Sequence, residues 1–107
     1  MTNKMDERVS RSFESQSMMK TLGARIHKVE KGKVTIEAPL LPSTLQQQGY
    51  VHAGLTCWIG DSSAGYSALT LMPEDQEVMT AEIKINLLAP ADGELLRAEG
   101  RLSLIHI

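Results

Sequence analysis

Two kinds of hydrophobic periodicity alternate along this chain. Over residues 9–22 the apolar positions Val9, Phe13, Met19 and Leu22 fall roughly on one face at helical spacing, which predicts a short amphipathic helix. Gly23 suits its C-terminal cap, and the polar residues 1–8 before it are expected to fray. The period then shortens to two. Residues 24–29 and 34–39 read as strands joined by the turn Glu30-Lys31-Gly32-Lys33. Val34, Ile36 and Ala38 alternate there with Thr35 and Glu37, predicting one buried face. Residues 40–51, with Pro42, three glutamines and Gly49, break the pattern.

A second helix is expected over about 52–71, apolar over most of its circumference through Leu55, Trp58, Ile59, Ala64, Tyr66 and Leu69. Such a helix is a buried one. Its glycines Gly54, Gly60 and Gly65 each cost about 0.5–1 kcal/mol relative to alanine, so they are expected to permit close approach of a sheet or a ligand. Alternation returns over 78–88, a predicted long strand, and over 94–101 after the turn Pro90-Ala91-Asp92-Gly93. The order is strand, strand, buried helix, strand, strand. It lacks βαβ alternation, so the fold class is α+β, an antiparallel sheet wrapped around one long helix.

With 107 residues the chain suffices for one domain, too small to bury a large core without help from oligomerisation. Aromatic residues are 4%, so the core must be aliphatic. The net charge of -2 gives no electrostatic case for nucleic acid or an anionic membrane as partner. One cysteine, Cys57, can build neither a disulfide framework nor a metal site within the chain. The N-terminus lacks a signal-peptide apolar region, and no run approaches the ~20 apolar residues of a membrane span. A cytoplasmic location is the default expectation.

The candidate chemistry lies where the irregular loop enters the long helix: Gln46-Gln47-Gln48-Gly49-Tyr50-Val51-His52-Ala53-Gly54, followed by Asp61. The first N–H groups of a helix have no internal partner and sit at the positive end of its dipole, where a developing oxyanion can be held. A carboxylate in an apolar helix is costly unless paired or used, and can serve as general base or nucleophile. Alone, Asp61 reads as a helix carboxylate paired with an arginine or lysine, and His52 as a structural histidine bonded to backbone. Cys57 reads as a small buried apolar residue.

His52-Ala53-Gly54 with Asp61 nine residues after His52 resembles the His-Gly-Gly…Asp signature of the PaaI-like hotdog-fold acyl-CoA thioesterases. Residues 79–90 resemble that family's next strand, and Pro90-Ala91-Asp92-Gly93 its turn. The resemblance spans roughly residues 33–101. It implies a hotdog fold, hydrolysis of an acyl- or aryl-CoA thioester to free acid and CoA, and no metal or redox cofactor. It makes Asp61 the catalytic carboxylate and the backbone N–H of Ala53, with Gly54 beside it, the donor to the thioester carbonyl. Gln46 would orient substrate or water, His52 would position, and Thr80 would stand near the nucleophilic water. Ala53 replaces the commoner glycine, and Gln46 an asparagine.

Helical rise separates Ala53 from Asp61 by about 10–12 Å, too far for one thioester carbon to touch both. The site is therefore expected to join Ala53 of one subunit to Asp61 of another in a homodimer or tetramer. The alternatives are a non-catalytic acyl-CoA-binding hotdog protein and an inactive fragment. The fragment reading arises at residues 102–107, Leu-Ser-Leu-Ile-His-Ile, which resemble an in-frame translated sequencing-library adapter, though they also alternate like a natural strand. The expected domain is residues 1–101, an incomplete hotdog lacking its last strands. The acyl group is left open.

Overall fold

The computed structural model describes residues 3–80 and 82–103. Helix α1 (Lys4–Glu14) begins where fraying was expected, because Asn3 caps it: the Asn3 side-chain oxygen accepts from the Asp6 N–H at 2.8 Å. Asp6 and Glu7 stand at the positive end of its dipole. Val9 and Phe13, four residues apart, form its buried stripe.

The single helix expected over 9–22 is two. The Ser15 hydroxyl turns back to the Arg11 carbonyl at 2.9 Å and Gln16 is extended, so the helix ends and α2 (Ser17–Leu22) starts afresh. Gly23, at φ 66°, ends α2 as expected. The Ala24 and Gly23 N–H groups close on the Met19 and Lys20 carbonyls, a Schellman motif that only an unsubstituted α-carbon enters without strain.

Strands β1 (Arg25–Glu30) and β2 (Lys33–Pro39) form a hairpin, with Gly32 at φ 78° in the turn and a register shift between Ile26 and Lys28. Strand β3 (Leu95–Arg101) pairs antiparallel with the other edge of β2, giving the order β1-β2-β3. Val34, Ile36 and Ala38 face the core and are fully buried. The opposite face of β2, expected to be open, is covered as well. Glu37 is 1% exposed because Arg25 and Arg97, its register partners on β1 and β3, fold over it. Their guanidinium groups bond Oε1 at 2.9 Å and Oε2 at 2.5 Å.

Helix α3 (Ala53–Leu69) lies across the core face of the sheet. Leu55, Ile59, Tyr66 and Leu69 join Val34, Ile36, Val9, Phe13 and Met19 in one cluster. Its burial is one-sided rather than complete: Ala53, Gly54 and Ala64 are exposed and Asp61 is half-buried. The close approach expected of its own glycines belongs mainly to a strand glycine. A β-carbon on Gly100 would lie 2.3 Å from the Ser63 carbonyl carbon, whereas one on Gly60 or Gly65 would meet nothing within 4 Å. Arg8 of α1 secures the far end of α3, donating to the carbonyls of Leu69, Met72, Pro73 and Gln76, a cation at the negative end of a helix dipole.

The strand expected over 78–88 is not formed as a ladder among the described residues; residue 81 lies outside them. A strand exists by pairing its N–H and C=O groups, and the sheet places β1, β2 and β3 elsewhere. Val78 packs against the core, but Met79, Ile83, Ile85, Leu87 and Leu88 stay in solvent, Met79 at 91% and Leu88 at 93% exposure. Leu102 donates its N–H to the Gly32 carbonyl at 3.0 Å; residues 104–107 of the suspected tail lie outside the described residues. No helix among the described residues is long and apolar enough to cross a membrane.

Candidate active site

The loop into α3 is built by its own side chains. Thr44 and Leu41 exchange two bonds of 3.1 and 3.0 Å in a one-turn 3-10 helix, Pro42–Thr44. Leu45 and Val51 bridge, and between them the Gln46 carbonyl oxygen Oε1 accepts from the N–H groups of Gln48 and Tyr50 at 2.5 and 3.3 Å. Gly49, at φ 87°, makes the reversal possible. The Val51 N–H reaches the Ala91 carbonyl at 2.8 Å, which ties the loop to the turn before β3.

His52 caps α3. Its Nδ1 accepts from the Gly54 N–H at 2.8 Å, which places the ring hydrogen on Nε2. A β-carbon on Gly54 would press this nitrogen at 3.0 Å, so glycine makes room for the cap. The Leu55 N–H is bonded to the His52 carbonyl, and the Gly54 N–H is taken by the ring. The Ala53 N–H is left at the positive end of the helix with no hydrogen-bond partner among the described residues and with open access. Gln46, His52 and Ala53 share a hollow of about 520 Å³ with Tyr50 and residues 87–91.

Asp61 sits two turns further along α3, on the flank away from the sheet. The Thr80 hydroxyl donates to its Oδ1 at 2.5 Å. That leaves Oδ2 available to a ligand. Both residues line a second hollow, of about 380 Å³, with Ser12, Gln16, Tyr66 and Met79. Residues 78–80 thus serve as a wall, and Thr80 supplies the hydroxyl aimed at the carboxylate. No arginine or lysine pairs with Asp61 among the described residues, so the ion-paired alternative does not describe it.

The structure therefore brings the six sequence-derived candidates together as two groups. Gln46, His52, Ala53 and Gly54 gather at the helix entry, Asp61 and Thr80 on its flank, and the two hollows share no lining residue. Eight residues of helix, about 12 Å, separate Ala53 from Asp61. The sequence reading did not single out Ser12 and Gln16, which meet the Tyr66 hydroxyl in the wall of the Asp61 hollow; two polar residues beside a helix break carry no recognisable signal. Trp58 keeps its Nε1–H shielded and unpartnered among the described residues, and Cys57 is a half-buried free thiol. No three His, Cys, Asp or Glu side chains converge on a metal position among the described residues.

No family model matches the chain. A 1,4-dihydroxy-2-naphthoyl-CoA hydrolase of Listeria monocytogenes is 30% identical over 90 residues, an alignment covering 84% of this chain and 72% of that protein. A thioesterase family protein from Silicibacter pomeroyi superposes with a TM-score of 0.86 at 40% identity, over 89% of this chain and 70% of that one. The PaaI protein of E. coli, from its phenylacetic acid degradation operon, superposes at 0.79 with 18% identity, over 90% of this chain and 68% of that one, a likeness of fold. The shared sheet-and-helix architecture, together with the identities of 30% and 40% over most of the chain, makes this protein a member of the thioesterase family with the hotdog fold, and a thioester hydrolase.

Proposed function

We propose that the chain hydrolyses acyl- or aryl-CoA thioesters with Asp61 as the catalytic carboxylate and the Ala53 N–H as the oxyanion donor, each site being shared between two copies. The observation that carries this reading is the Asp61–Thr80 pair. A half-buried carboxylate that pairs with no cation among the described residues is fixed by one short bond of 2.5 Å to one oxygen, and the residue lines a hollow.

In the general-base form, Asp61 takes a proton from a water whose oxygen attacks the thioester carbon. The carbonyl oxygen gains charge at the helix N-terminus, where a fixed N–H donor is worth most. When the C–S bond breaks, the proton passes from Asp61 to the departing CoA sulfur, and the free acid leaves. In the nucleophilic form, Asp61 itself attacks, CoA departs, and water cleaves the resulting anhydride. Both forms use the same two groups. His52 Nε2–H and Gln46 border the helix entry and orient the thioester. Gly54 holds the cap that points the Ala53 N–H outward.

The separation of about 12 Å between the two groups supports a site made by two copies of the chain. The exposed apolar residues Met79, Leu87 and Leu88 are in keeping with that assembly, since such side chains gain by burial against a second copy.

Two variants test the assignment in an assay of CoA thiol release across aryl- and fatty acyl-CoA thioesters. Asp61→Asn is expected to lower kcat by about 100-fold or more. Ala53→Pro removes the N–H at a helix position where proline is tolerated, and is expected to lower kcat by about 100-fold while the fold survives. Full activity in a folded Asp61→Asn protein would refute the role given to this carboxylate.

A further inference from the structure

Thr80 reaches Asp61 without a strand to hold it. No backbone hydrogen bond fixes residues 77–80 among the described residues, and Met79 and Thr80 are exposed. Val78 packs against the core cluster, but hydrophobic contact is non-directional and does not aim the backbone that follows. The 2.5 Å bond from Thr80 to Asp61 Oδ1 is directional, so its donor must be held in place. The anchor lies upstream in the chain.

Between α3 and residue 77 the chain makes two successive turns. In the first, the Met72 N–H donates to the Leu69 carbonyl; in the second, the Gln76 N–H donates to the Pro73 carbonyl, each at 3.1 Å. Arg8 bonds both. Its Nη1 donates to the Leu69 and Met72 carbonyls at 3.2 and 2.9 Å, and its Nη2 donates to Gln76 and, at 2.9 Å, to Pro73. Each terminal nitrogen thus takes the first and last carbonyl of one turn, and all four terminal N–H groups of the guanidinium are engaged. A cation at the end of a helix dipole could equally be a lysine; four acceptors met by one planar fork call for arginine. The mount is firm, since Val9 and Phe13 beside Arg8 on α1 are buried in the core. Gln76 precedes Thr80 by four residues, which cover at most about 14 Å when extended, so the anchor bounds where the Thr80 hydroxyl can go.

We infer that Arg8 is a positioning residue for the hydrolytic reaction: by clamping the two turns after α3 it holds residues 78–80 so that the Thr80 hydroxyl stays on Asp61. The inference rests on the reading of Asp61 and Thr80 as the catalytic carboxylate and its partner. It gives α1 a part in the chemistry, although none of its residues touches the carboxylate.

The test is a double-mutant cycle in the assay of CoA thiol release, with kcat and KM read separately on folded protein. Arg8→Met keeps an apolar stem and removes the donors. It is expected to lower kcat about tenfold while KM changes by no more than about twofold. In a Thr80→Val background the same substitution is expected to lower kcat by at most about twofold, because the bond it serves is already gone. A residue that only stabilised the fold would act equally in both backgrounds. An unchanged kcat in Arg8→Met, or an equal fall in both backgrounds, overturns the inference. If Arg8→Met does not fold, Arg8→Lys takes its place in the cycle, keeping the cation at the helix end without the planar fork, and the same outcomes decide. Asp61→Asn runs alongside. Full activity there removes the catalytic reading and the role of Arg8 with it. Activity lost in Asp61→Asn and Thr80→Val but kept in Arg8→Met overturns the role of Arg8 alone.

Discussion

Asp61 and Thr80 meet through a single 2.5 Å bond from an exposed strand-like stretch to a half-buried helix flank. A hydrogen bond to a charged group contributes about 1.5–3 kcal/mol. Thr80→Val is therefore expected to lower kcat by roughly 10- to 100-fold with a smaller change in KM, and Thr80→Ser to restore most of the loss; an unchanged kcat in Thr80→Val would separate this hydroxyl from the reaction. The other notable carboxylate, Glu37, is structural. The hydrogen bond from Arg97 is the main influence holding it below the usual glutamate range; burial opposes that shift and Arg25 adds to it. Glu99 is held down in the same way by Arg101 and Lys33. A depressed folded-state value means stability that is present above the unfolded value, near about 4.3, and lost as pH falls through the folded one. Urea midpoints are thus expected to hold from pH 7 to about 5 and to fall below about 4. Glu37→Gln should flatten that fall. Parallel curves for the two proteins would remove Glu37 as its source. His52 and Asp61 stood out as candidates in the sequence because their spacing resembles a family signature, and Thr80 because it falls in the stretch that resembles that family's next strand. Glu37 did not stand out, since alternation marks it as solvent-facing and only the register beside Arg25 and Arg97 explains its burial.

At the level of elements, the position of α3 over the sheet depends on Gly100. Any β-carbon there would overlap the Ser63 carbonyl and stand 2.6 Å from the Ala64 nitrogen. Backbone cannot yield as a flexible side chain can, so Gly100→Ala should cost about 2–3 kcal/mol and displace the flank that carries Asp61. Chemical denaturation measures this; a midpoint equal to that of the unaltered chain would mean that helix and strand are not packed so closely. The hairpin, the long helix and the last strand were legible to within one or two residues, because a period of two and a period near four are hard to confuse over such lengths. The terminal helix was not, since Asn3 is one polar residue among several until its side chain is seen to cap. The break at Ser15 was hidden by apolar residues that continue beyond it. The alternation over 78–88 was real, but alternation shows only that a stretch can pair, not that a partner strand is beside it.

The whole molecule presents its candidate residues as two half-sites along one helix, the N-terminal entry with Ala53 and the flank with Asp61. Helix geometry made that separation legible in the sequence, whereas the walls of the hollows come from residues as distant as Ser12 and Met79 and could not be read there. If each working site takes its donor from one copy and its carboxylate from another, defects in the two halves must complement. The most direct measurement is thioesterase activity of Asp61→Asn and Ala53→Pro proteins co-expressed and purified together. Random pairing makes half of the dimers mixed, and each mixed dimer regains one of its two sites, so roughly a quarter of the unaltered activity should return although each variant alone keeps only about 1% or less. Activity that stays at the level of the separate variants, in dimers shown to be mixed, would contradict the shared site.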